Sequence, residues 1–202
     1  MSDWIKNIID EDNLKENMSF VSLFISVYES MVDYVVTNVH HFLCDWKIEN
    51  GEEVYTETEE YRDKIKNRIV DDKGNKDKTK ASFLWIFDWS AFSDEDYKTF
   101  LSAKAIRNKY AHELFNTVIT GVAEDDTNVF VKMVSLYRRI TNWWIVHIEE
   151  PMLGEEVPAD ADLDQAQSMV NIMFDMVIDV LYNGKSDEYK KLYEKYSNGV
   201  ER

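Results

Sequence analysis

The sequence predicts an all-α fold, an up-and-down bundle of five to six helices forming one domain over residues 1–202. Three observations carry this. Only two prolines, Pro151 and Pro158, and six glycines interrupt the chain. Long stretches place apolar residues three or four apart, the spacing that gathers them on one side of a helix. At 202 residues and 45 % hydrophobic content, the chain fills one well-packed core and falls short of two domains of ordinary size. The bundle core is expected over residues 18–183, with a short C-terminal helix within 184–202.

The first long helix is expected from about Ser19 to Trp46, with Phe20, Phe24, Val27, Met31, Tyr34, Val35, Phe42 and Trp46 on one side. Ser22, Ser26, Glu29, Asp33, Thr37 and His40 form the opposite polar stripe. A second, highly charged helix covers about Glu57 to Val70, and Asp71 to Lys80, with Gly74-Asn75, reads as an exposed loop. After the apolar turn Phe83-Leu84-Trp85-Ile86-Phe87, Ser93 followed by Asp94, Glu95 and Asp96 marks a helix start, a hydroxyl cap with acids in the first turn. That helix is expected to end near Leu114 to Asn116. A fourth helix runs from near Thr127 to about His147. Glu149 to Asp164 holds both prolines, seven acidic residues and no basic one, and reads as a surface loop or a helix entry. Asp162 to Asn183 forms a fifth helix whose stripe Asp164, Ser168, Asn171, Asp175 and Asp179 is expected to face water. Gly184 suits its end, and Asp187 to Tyr196 forms a sixth helix behind the Ser186 cap.

A formal charge of −16 opposes unspecific attraction to nucleic acid or to an anionic membrane. The charge is segregated, however. Residues 61–80 hold eight basic residues against four acidic ones, a local +4 that leaves −20 for the remainder. Screening over roughly 8 Å at physiological salt lets such a patch act despite the global sign. The plainer reading of the segment is a solvated helix followed by a loop. One cysteine, Cys44, excludes an internal disulfide framework. The start Met1-Ser2-Asp3-Trp4 lacks the basic flank and apolar run of a secretion signal, and patches such as Trp143-Trp144-Ile145-Val146 fall short of the roughly 20 residues of a membrane span. A soluble cytoplasmic protein is the expectation.

One stretch names a chemistry: Ala105-Ile106-Arg107-Asn108-Lys109-Tyr110-Ala111-His112-Glu113-Leu114. Arginine holds a phosphate through a planar pair of donors, and histidine exchanges a proton near neutral pH. Together they suit cleavage of a phosphodiester that carries its own 2′-hydroxyl, which makes RNA the expected substrate. At about 100° per residue, Lys98, Ser102, Lys109 and Glu113 share a solvent arc, while Ala103, Ile106, Tyr110 and Leu114 share a core arc. Lys104, Arg107, Asn108 and His112 occupy a third arc around Ala111, available for a ligand or a second copy. A twofold dimer would set two such arginines and histidines around one phosphate. His112 would act as base or acid, Arg107 would neutralise charge on phosphorus, and Asn108, one turn before His112, would orient the imidazole or a phosphate oxygen. No cofactor or metal is called for. The structural alternative is that Arg107 merely pairs with an acid of the first helix such as Glu29 or Asp33.

Arg107-Asn108 followed by Ala111-His112, late in a helix of a four- to six-helix bundle, resembles the signature of the HEPN superfamily: an arginine, a polar residue, then a histidine after four to six intervening positions. The resemblance rests on about ten residues and on the helix order across residues 18–183. It implies a dimeric, metal-independent endoribonuclease, of a kind that acts in toxin-antitoxin systems, abortive infection or other anti-phage defence, with Arg107, Asn108 and His112 in the catalytic places. A branch paired with nucleotidyltransferase antitoxins carries tyrosine two residues after the histidine; here that position is Leu114. The expected partners are RNA, a second copy, and an antitoxin or other regulatory protein, with Lys104, Lys64 and Arg68 as the RNA-binding cations.

Other constellations are weaker. Glu57, Glu60 and Asp63, with Asp175 and Asp179, suggest the paired acids that hold magnesium in helical nucleotide pyrophosphohydrolases, yet all sit on hydrophilic stripes. His40 with Cys44, and His41 with Asp45, each offer a metal two ligands without an identifiable third. The different class of function is a non-catalytic acidic helical module that binds a partner protein, as an antitoxin-like regulator or a nucleic-acid mimic.

Overall fold

In the computed structural model, residues 9–154 and 168–197 are described. The fold is all-α with a small two-stranded sheet. Helix α1 spans Glu11–Leu43, strands β1 and β2 span Cys44–Glu49 and Glu52–Glu57, and α2 is a single turn, Glu59–Tyr61, passing into a π-helical turn at Arg62–Lys66. Then come α3 (Lys78–Asp88), α4 (Asp94–Thr120) and α5 (Glu124–Trp144), which runs through a π-helical turn at Ile145–Glu149 into α6 (Glu150–Met152). Helices α7 (Met169–Tyr182) and α8 (Ser186–Ser197) complete the described chain. Two compact units divide between Ile140 and Thr141, inside α5.

In the first unit, α1 packs against α3 and α4 through a run of aromatic pairs. Phe24 meets Tyr110 edge-on at 5.3 Å and Phe130 at 5.9 Å, Tyr28 stacks on Phe100, and Phe100 stacks on Phe83 at 3.9 Å. Among the described residues α1 is the one helix long and apolar enough to cross a membrane. Its side chains Phe24, Val27, Met31, Val35 and Val39 are buried, so the protein core accounts for that hydropathy.

Helix α1 starts eight residues before the expected Ser19. Asp10 caps it, accepting from the backbone N–H groups of Asp12 and Asn13 at 3.1 Å, and the acids Glu11 and Asp12 suit the positive end of the helix. The far end departs from expectation more sharply. Instead of continuing to Trp46, the chain turns extended at Cys44 and forms an antiparallel hairpin with Cys44 opposite Glu57 and Glu49 opposite Glu52. Asn50 and Gly51, with φ of 54° and 84°, make the two-residue turn whose twist matches paired strands. Phe42 and Trp46, expected on the core side, are therefore exposed. The second helix is correspondingly short, Glu59 to Lys66 with its π turn rather than Glu57 to Val70, and its Thr58 cap also donates to the Leu43 carbonyl. The loop that follows is held by Asp71, which accepts from the N–H groups of Lys73 and Asn75, and Phe83–Phe87 lie within α3 rather than in a turn.

The second unit holds the end of α5 with α6, α7 and α8. The expected polar stripe of α7 does not all face water. Asn171 is buried and donates to Thr141 Oγ1 at 2.7 Å, because a polar group taken from water needs a partner inside. Asp164 lies outside the described residues. Asp179 accepts from Asn183, Tyr189 and Lys185, tying α7 to α8 and holding its carboxyl down to about 2.

Candidate functional site

Helix α4 positions the Arg-Asn-His motif, and its own anchors fix the rotation. At the start, Ser93 and Asp96 form a reciprocal capping box: the Ser93 N–H donates to Asp96 and the Asp96 N–H to Ser93 Oγ. Arg139 of α5 pairs with the same Asp96. Nearer the motif, Tyr110 is fully buried against Phe24 and donates its hydroxyl to Asp126 at 2.8 Å, while Lys109 Nζ reaches the same carboxylate oxygen at 3.0 Å. Burial and the acceptor Asp126 push the Tyr110 hydroxyl far above its ordinary pKa, so it stays a donor. Asp126 belongs to the first turn of α5. One buried carboxylate thus locks the start of α5 to the middle of α4 and turns the third arc outward.

On that arc the residues have different surroundings. Arg107 is about one-third exposed, and its Nε and Nη2 both lie 2.5 Å from Glu29 Oε1 of α1. Its Nη1 donates to the side-chain oxygen of Asn108 at 3.2 Å. A guanidinium has five N–H donors, so one on each terminal nitrogen is left over, directed away from Glu29. Lys104 pairs with Asp77, the cap of α3, at 2.6 Å. Tyr28, on α1, lies within the fields of Glu29, Arg107 and Asp77; burial first, then the Glu29 carboxylate, pushes its hydroxyl up to about 12. Two ion pairs, Arg107–Glu29 and Lys104–Asp77, thus occupy this side of α4.

Asn108 and His112 are exposed. Directly after His112 the helix breaks its regular geometry, with Glu113 at φ −123° and ψ 25°. The break removes Leu114 from the core arc on which the regular period placed it: Leu114 is 50 % and Phe115 80 % exposed. Arg107 and His112 stand five residues apart, which in a regular helix is roughly 7.5 Å of rise and about 140° of rotation. In one copy they flank the arc from opposite sides, Arg107 toward α1 and His112 toward solvent.

The remaining expected cations are dispersed. Arg68 grips Asp88 with two hydrogen bonds, 2.8 and 3.3 Å, and Lys64 is exposed on the π-helical turn with no partner among the described residues. Burial, then the Asp77 carboxylate, pushes the Tyr97 hydroxyl up. Of the alternative acids, Glu57 pairs with Lys66 at 2.6 Å, the Lys66 hydrogen bond lowering its pKa, and Asp179 is held by Asn183, Tyr189 and Lys185. His40 packs edge-on to Tyr61 at 5.0 Å, and burial, then Lys78, lowers its pKa. Among the described residues no group of three His, Cys, Asp or Glu is placed to hold a metal ion. Asp77, Asp126 and Tyr28 were not singled out from the sequence. Asp77 was detectable as a cap, but its bond to Lys104, like that of Tyr110 to Asp126, joins residues that only the fold brings together.

No family model, curated protein or solved structure matches this chain.

Proposed function

We propose that this protein is a HEPN-like, metal-independent endoribonuclease that works as a homodimer in the cytoplasm, as a toxin or anti-phage defence effector. The observation that carries the reading is the division of labour on α4: Arg107 held in place by Glu29 and Asn108 with two donors left over, and His112 exposed beside the apolar Leu114 and Phe115. Two apolar side chains next to the histidine suit burial by a second copy. A twofold contact there brings the imidazole of one copy toward the guanidinium of the other, which the 140° separation within one copy disfavours.

In this reading the phosphodiester rests on the outer edge of Arg107. Neutral His112 takes the proton of the 2′-hydroxyl, the 2′ oxygen attacks phosphorus, and the 5′ oxygen leaves with a proton from water. The product is a 2′,3′-cyclic phosphate and a 5′-hydroxyl. Arg107 neutralises the charge that builds on the non-bridging oxygens, and Lys104, Lys64 and Arg68 guide the flanking strand. Labelled RNA with excess chelator tests this: wild type cleaves, and Arg107→Ala and His112→Ala do not. Cleavage that survives both substitutions or requires magnesium refutes it.

A second reading is favoured by one observation. Lys104, Arg107, Arg68 and Lys66 each already carry a carboxylate partner, on a chain of net charge −16. That suits a non-catalytic acidic module binding a partner protein, an antitoxin-like regulator or a nucleic-acid mimic. Absence of cleavage by the wild type, together with no RNA binding, selects it.

A further inference from the structure

We infer that the β1–β2 hairpin is a docking surface for a basic, extended segment of a partner protein, which adds alongside β1. Its register puts Cys44, Trp46 and Ile48 opposite Glu57, Tyr55 and Glu53, so these six residues share one face. The root of that face is built into the fold: Cys44 is buried, and His41 stacks flat on Tyr55 with ring centres 4.1 Å apart and planes 7° apart. The outer part is bare. Trp46 is 61 % and Ile48 67 % exposed, two large apolar side chains two residues apart on one strand.

The edge is bare as well. The sheet has only these two strands among the described residues, so each has a free side. Around a two-residue turn the flanking pair, Glu49 and Glu52, exchanges hydrogen bonds; by alternation Lys47 and Asp45 also bond across to β2. Trp46 and Ile48 are then the residues whose N–H and C=O point outward along the β1 edge, beneath their own exposed side chains. A two-stranded hairpin is marginal by itself, and a third strand is what such a ribbon accepts most readily.

Charge decides the occupant. Over residues 44–57 there are five acidic residues and one lysine. Lys47 pairs with Glu49, and Glu57 is neutralised by Lys66, which leaves Asp45, Glu52 and Glu53 without a basic partner among the described residues. A nucleic acid or a second copy of the same hairpin would bring further negative charge to this rim. A strand alternating lysine or arginine with aliphatic residues meets both the rim and the apolar pair.

The inference does not rest on the nuclease reading, and its test uses the whole chain with His112→Ala as a bystander. The probe is a fluorescent peptide of alternating lysine and valine, followed by anisotropy against its glutamate–valine counterpart. The lysine peptide is expected to bind wild type and His112→Ala alike, more weakly as salt rises, and to lose about tenfold or more in affinity in the double variant Trp46→Ser, Ile48→Ser. Both substituted side chains are exposed, so the variant keeps the melting temperature of wild type. A second variant, Asp45→Lys with Glu53→Lys, is expected to reject the lysine peptide and accept the glutamate one. Failure of wild type to bind the lysine peptide overturns the inference. So do equal binding by the double variant, displacement of the peptide by a uridine oligoribonucleotide, and self-association that the double variant abolishes.

Discussion

Glu29 and Arg107 meet across the seam between α1 and α4, one carboxylate oxygen 2.5 Å from both Nε and Nη2 of the guanidinium. The contact occupies one side of the arginine and orients the other. Because both partners are one-third to one-half exposed, the pair contributes at most about 1 kcal/mol to stability. Glu29→Ala is therefore expected to leave the melting temperature within a few degrees of wild type; if the protein cleaves RNA as proposed, the substitution should also lower kcat by about tenfold or more, because a guanidinium free to rotate would meet the phosphate less often. Glu29→Asp should recover part of the loss. Single-turnover cleavage beside thermal melts checks this, and unchanged cleavage in Glu29→Ala removes any positioning role for the carboxylate.

The lock between α4 and α5 is structural, and its variants should behave in the opposite way. Asp126 is buried with Tyr110 and Lys109 on one oxygen. Asp126→Ala leaves a buried hydroxyl without an acceptor and is expected to cost about 2–3 kcal/mol, whereas Tyr110→Phe, which leaves Lys109 on the carboxylate, costs about 1 kcal/mol. Urea unfolding measures both. Equal costs for the two would mean that Tyr110, not Lys109, is the partner that matters.

Much of this was legible in the sequence where the cause is local. Ser93 with three acids after it specified the start of α4, and the capping box is there. The Arg107–Glu29 pair was foreseeable because both residues lie on polar stripes of neighbouring helices. The failures are also physical. Apolar spacing cannot see the polar first turns of α1, which are held by Asp10 rather than by packing. It also carried α1 through to Trp46, although Asn50-Gly51 between two alternating segments is a strong hairpin signal, one that outweighs helical spacing over so few residues. Leu114 was assigned to the core by a regular period that the chain abandons at Glu113. Asn171 was assigned to water because its partner Thr141, thirty residues earlier, is invisible to periodicity.

In the second unit, acid should loosen α8 first. The hydrogen bonds from Asn183, Tyr189 and Lys185 lower the Asp179 pKa from 3.8 to about 2. A carboxyl with a lowered folded value contributes stability that is complete above its unfolded value and lost as pH falls through the folded one. The α7–α8 connection is thus expected to hold down to about pH 4 and to weaken between there and about pH 2. Amide exchange of residues 186–191 should follow that window in wild type and be raised at all pH values in Asp179→Ala. Exchange that rises already near pH 6 would point to a histidine instead.

The sharpest prediction concerns two inactive proteins mixed together. If Arg107 and His112 act across a twofold contact, an Arg107→Ala dimer retains two imidazoles, an His112→Ala dimer retains two guanidinium groups, and neither cleaves. Exchange of subunits yields a mixed dimer with one of each, and a part of wild-type cleavage is expected to return, in proportion to the mixed fraction measured by native mass spectrometry. Adding Leu114→Ser and Phe115→Ser to either partner should abolish the recovery. Those side chains are half and four-fifths exposed in one copy, so the substitutions cost the monomer little and the contact much. A site complete within one copy predicts no recovery at any mixing ratio, because each subunit would still lack one of its two groups. Mixed dimers that form and stay inert would therefore move the chemistry away from the pairing of these two side chains between subunits.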